Sequence, residues 1–266
     1  MTATPALAAD QGSRTAPGLG GLNLTVLGLE VRRLLRNRRT VIISIVLPVV
    51  FFLVFGLNRA YALQSDGRGN VAAFVMLSMA LYGAVLATTS SGAMVSIERA
   101  AGWSRQLRLT PLSPPAYVTI KMLSALVLGL CSVIAVAAVG LITGKASMPG
   151  YLWVVSFLCV WVGSLVFAAF GLFMGYLLPT ENVMQFLGIG LALLSFAGGL
   201  FTPLSQFPHA VRTIAQFTPL YGLNQIVHAP MLGGSIHLAW VANAVIWLAI
   251  FAAGAAWRMR KDTARV

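Results

Sequence analysis

The chain has 266 residues, of which 58% are hydrophobic and only 9% charged, with a mean hydropathy of +0.86 and a formal net charge of +12. Soluble domains carry about 25% charged residues, so this composition excludes an ordinary soluble domain and selects a lipid-embedded chain. Cys131 and Cys159 both fall inside apolar stretches, which gives no disulfide framework and no metal-ligand set.

Residues 1–21 are rich in Ala, Thr, Gly and Pro and read as a disordered leader ahead of one domain over 22–266. Residues 22–39 predict an amphipathic helix. At 100° per residue Leu24, Leu27, Val31, Leu34 and Leu35 gather on one side, while Arg32, Arg33, Arg36 and Arg39 fall nearly opposite. Such a helix is expected to lie flat on the inner leaflet with Arg32, Arg33 and Arg36 as interfacial anchors toward lipid headgroups; the alternative is a plain positive anchor for the first span.

The fold class expected is an all-α membrane protein with six transmembrane helices. Apolar runs near the ~20 residues needed to cross a bilayer lie at about 40–57, 71–95, 122–143, 152–178, 183–201 and 238–257. None alternates apolar and polar as a barrel strand does. The first run is longer than a signal-peptide core and has more than thirty residues ahead of it, so it is expected to remain in the mature protein. Pro48 predicts a kink in it, and Gly171 with Gly175 permits close helix approach in the fourth.

Orientation follows from the cations. Fourteen of the eighteen Lys and Arg fall before the first span, between the second and third, or after the sixth, which places both termini in the cytoplasm. The net charge is thus explained by topology and anionic lipid, without nucleic acid as a partner. No Asp, Glu, Lys, Arg or His sits at a predicted span centre, which argues against an ion-coupled carrier. Hydrolase motifs are absent, and Gly144-Lys145 lacks the glycine spacing and following Ser/Thr of a phosphate loop, so the chain is expected neither to be an enzyme nor to bind ATP itself. His209, His228 and His237 have unconvincing ligand spacing and read as surface or structural residues.

Between Glu98 and Lys121 the apolar sequence is broken by ERAAGWSRQLRLTPLSPPAYVTIK. Ser96 to Leu109 tolerate a helix, Pro111 halts it, and Pro114-Pro115 predict an extended turn before the third span. Glu98 and Arg99 are expected to pair with each other or with lipid, and Trp103 also suits an interfacial anchor.

The pattern of Glu98-Arg99, Gly102, Leu107-Arg108, Thr110-Pro111-Leu112 and Ser113, closing on Tyr117 and Lys121, resembles the first cytoplasmic loop of the type-2 ABC exporter permeases. Phe201-Thr202-Pro203-Leu204, Phe207-Pro208, Phe217-Thr218-Pro219-Leu220 and Gly233-Gly234 resemble the same family's segment between the last two spans. Ala100 departs from the family, which often has a second acid there. The resemblance implies a coupling loop that docks into a separate ABC ATP-binding subunit, which holds the ATP and Mg; this chain would need no cofactor. It further implies a second permease copy or paralogue, and a possible translocation path along Met184, Phe186, Leu187, Leu191 and Leu194. The expectation is an exporter permease in the cell membrane for a hydrophobic or amphipathic cargo, with a glycan exporter or a non-transporting scaffold as alternatives.

Overall fold

In the computed structural model the described residues are 21, 23–59, 62–102, 112–202 and 204–264. The expected leader, Trp103, and Leu107, Arg108, Thr110 and Pro111 lie outside them.

The chain begins with α1 (Leu24–Arg36), whose N-cap Asn23 accepts from the Thr25 amide. Asn37 ends it and caps α2 (Arg38–Phe51) by accepting from the Thr40 amide, so one asparagine separates two helices. Pro48 lies inside α2 and has no N–H to offer the Ser44 carbonyl. That carbonyl instead accepts from the buried Ser132 hydroxyl at 2.8 Å, so a neighbouring helix supplies the missing donor. A π-helical turn, Phe52–Gly56, finishes the span.

A two-stranded hairpin, β1 (Ser65–Asp66) with β2 (Gly69–Asn70), leads into α3 (Val71–Ala93), and Met94 separates that helix from α4 (Val95–Ala100). The hairpin escaped the sequence reading because its strands are only two residues each. Next come α5 (Pro114–Thr143), α6 (Gly150–Gly163) and α7 (Leu165–Leu177). After them follow α8 (Thr180–Ala197), α9 (His209–Ala215), α10 (Pro219–His228) and α11 (Leu238–Ala264).

Two expectations are corrected. Pro114 and Pro115 start a helix instead of forming an extended turn: Ser113 caps it, and a proline in the first turn gives up an amide that would have no helical partner anyway. The helix expected through Ser96 to Leu109 is interrupted after Ala100, with Gly102 at φ +76° just beyond, and 103–109 lie outside the described residues. Glu98 and Arg99 therefore extend the second span. Among the described residues five helical segments are long and apolar enough to cross a membrane, and the stretch expected as the fifth span holds a further apolar helix, Thr180–Ala197.

The bundle is built around α3. Within the Val71–Ala100 segment 78% of the most apolar window is buried, against 11% for α11 at the periphery. Glycines permit the approach of α7: a Cβ on Gly92 would stand 2.6 Å from the Ala168 carbonyl oxygen, and Gly171 abuts the Thr89 backbone. Gly175 lies against Ala93 and Val95, so the glycine pair singled out in the sequence does meet the second span.

Candidate coupling site

The end of α3 and α4 carries a buried ionic cluster. Glu98 is 4% exposed and Lys121 6%, positions that charged residues occupy only when paired. Here they are paired several times over. One carboxylate oxygen of Glu98, Oε1, accepts from Lys121 Nζ at 2.5 Å and from an Arg33 guanidinium nitrogen at 2.7 Å, while Oε2 accepts from the Tyr117 hydroxyl at 2.8 Å. Lys121 also donates to Glu30 at 2.6 Å, and Arg33 lies 3.6 Å from the same Glu30 carboxylate. Two acids and two bases balance. Such a network offsets the cost of removing the charges from water only because nearly every oxygen is satisfied, and loss of one member leaves another buried without its counter-charge.

Each member arrives by local structure. Glu30 and Arg33 are one helical turn apart on α1 and so face the same neighbour. Tyr117 and Lys121 are four apart on α5. Around them Val95, Tyr117, Val118, Leu172, Tyr176, Ala255 and Met259 form an apolar collar, with Leu112 packed on it. The low dielectric of this collar strengthens the ion pairs.

Arg99 points elsewhere. It donates to the Gly175 and Tyr176 carbonyls at 3.2 and 3.0 Å, at the C-terminal end of α7 where cations are favoured, and lies 5.4 Å from the Tyr176 ring centroid. Gly102 has nothing within 4 Å of a built Cβ among the described residues, so its requirement is conformational, not one of space. Arg32, Arg33 and Arg36 are all exposed, as interfacial anchors would be, and Arg33 in addition extends its guanidinium to Glu98.

At the opposite end of α3 lies a cavity of about 760 Å³ among the end of the first span, the start of α3, the end of α8 and residues 200–206. Beside it His228, 2% exposed, meets the Asn224 carbonyl through Nδ1 at 2.9 Å and the Ser78 hydroxyl through Nε2 at 3.1 Å. Nε2 also lies 3.3 Å from the Phe74 carbonyl oxygen, and burial holds the imidazole's pKa below its usual value. The residues expected along α8 divide: Leu187 and Leu191 are buried in the core, Leu194 is partly buried, and Met184 and Phe186 are exposed. Instead Ala192 and Phe196 of α8 reach the cavity.

Residues 23–232 match the model of the ABC-2 type transporter family. The chain belongs to that family, and is a multi-pass membrane permease. Membership implies an ATP-binding subunit as the general partner. Among its relatives is a Bacillus subtilis (strain 168) protein named "Putative transport permease YvfS", 27% identical over 207 residues, which span 77% of this chain and 84% of that one.

Proposed function

We propose that this chain is the membrane subunit of an ATP-driven exporter. In this reading both termini and the Glu98 end of the bundle face the cytoplasm, and the cargo is hydrophobic or amphipathic. Two permease chains, identical or related, pair and bind two ATP-binding subunits that hold ATP and Mg. The observation that carries the reading is the Glu98 cluster. It stands on the two sides of 103–111 in the sequence, and fastens Glu98 before that segment and Tyr117 and Lys121 after it to one another and to α1.

A push on 103–111 by a closing ATPase is thereby shared among α1, α4 and α5 instead of bending one loop. The distribution of cations supports the orientation. The exposed side of α8, with Met184 and Phe186, supplies a slippery surface between two permeases along which an apolar cargo would pass.

The test is co-purification with the cognate ATP-binding subunit and a comparison of its ATP hydrolysis alone and in complex. The wild type is expected to hold the subunit and alter its rate. Glu98→Arg is expected to release the subunit or abolish the change while the chain still inserts, and Arg68→Ala, at the far end beside Tyr151, to do neither. An unaffected Glu98→Arg complex would remove the cluster from the coupling role.

A further inference from the structure

The cavity at the Val71 end of α3 has a composition that defines its occupant. We infer that it binds a flat, fused-ring aromatic molecule carrying a neutral hydrogen-bonding group. The inference rests on the exporter reading for its purpose, but not for its chemistry.

Five rings form a continuous wall. Phe55 stands against Phe51 at 5.8 Å between centroids, Phe51 stacks on Tyr82 at 6.2 Å, Tyr82 meets Phe201 at 5.1 Å, and Phe201 meets Phe196 at 5.0 Å. All five line the cavity. A planar guest finds both stacked and edge-on partners there, the arrangements aromatic pairs prefer. The volume of about 760 Å³ lies within the range of small-molecule sites.

Charge narrows the class. Among the described residues no acidic or basic side chain lines the cavity, so an anionic guest would surrender its hydration with nothing in return. Among the described residues Ser78, Tyr82, Thr202 and Gln206 are the polar side chains that line it, fewer than the hydroxyls of a sugar ring and its neighbours would need, whereas one neutral polar group is readily met. One of them is poised for a ligand. Tyr82 lines the cavity with its ring largely buried, and its hydroxyl makes no hydrogen bond to a described residue, so it is open to a guest. A guest hydroxyl or carbonyl would complete it. Phe55 and Phe196, each about half exposed, form the rim through which such a molecule enters.

The experiment uses the purified full chain in phosphatidylcholine nanodiscs, without an ATPase, and follows the fluorescence anisotropy of hydroxypyrene against empty discs. Saturable binding above simple partition is expected. Tyr82→Phe should weaken hydroxypyrene about five-fold, the worth of one hydrogen bond, and leave pyrene unchanged. Phe201→Ala should weaken both, and pyrene sulfonate should not compete. Binding that is absent, or identical in Tyr82→Phe and Phe201→Ala, overturns the assignment. Displacement by dodecanol as effectively as by hydroxypyrene also overturns it, in favour of an acyl-chain site. Because no ATPase is present, any of these failures leaves the coupling assays on the Glu98 cluster to stand or fall separately.

Discussion

The two ends of α3 face opposite problems of solvation. At the Glu98 end two buried charged side chains, Glu98 and Lys121, are satisfied by each other and by the less buried Glu30 and Arg33. At the Val71 end the described residues in the wall of the cavity carry no charge, and the Tyr82 hydroxyl among them makes no hydrogen bond to another described residue. The first end is closed upon itself, so it is suited to transmit force; the second is incomplete, so it is suited to receive a molecule. Between them α3 is the most buried of the long apolar helices, and its glycine contacts with α7 make it a stiff connection.

Removing the centre of the closed end should have the largest effect. Glu98→Ala leaves the buried Lys121 and the Tyr117 hydroxyl without their carboxylate and Glu30 as the one acid shared by Lys121 and Arg33, and should cost about 3 kcal/mol of stability. Thermal unfolding in detergent should register this as a marked fall in Tm, and Arg68→Ala should show none. Gly171→Val attacks the connection instead. Its side chain must displace the Thr89 backbone, an overpacking worth about 3 kcal/mol, and should depress Tm together with activities that depend on either end.

The smallest effect belongs to the open end. Because the folded pKa of His228 is lowered from 6.5, the unfolded chain takes up a proton below about pH 6.5 that the folded chain resists. Its contribution is therefore intact above that pH and lost as pH falls toward the folded value, by at most about 1.4 kcal/mol per pH unit. Unfolding of wild type and His228→Gln across pH 7.5 to 5 should show this extra acid sensitivity only in the wild type. Equal slopes would remove His228 from the account.

Much of the fold was legible because lipid imposes long apolar runs and the cations mark their ends. The span boundaries near 40, 71, 152 and 238 needed no tertiary information. Glu98 was legible as a candidate through its resemblance to a family pattern, but its partners were not. Arg33 lies 65 residues away in sequence, and Glu30 reaches Lys121 across 91. Helical periodicity read Arg33 as a lipid anchor because it reports which side of a helix is polar, not what stands opposite. Glu30 gave one signal that was passed over: it is the acid in a segment otherwise basic, set three residues before Arg33. The cavity was illegible for a similar reason. Its rings come from three separate stretches, around residues 51–55, 82 and 196–201, and each alone is ordinary apolar sequence.

The central claim is that α1 and the segment after α4 move as one through the Arg33–Glu98 contact. The direct test is a double-mutant cycle on the ATP hydrolysis of the permease–ATPase complex, using Arg33→Met, Glu98→Gln and both together. The account predicts that Glu98→Gln lowers coupled hydrolysis most and that adding Arg33→Met costs little more, because the two act through one contact. Fully additive losses, or normal coupling in Glu98→Gln, would contradict it.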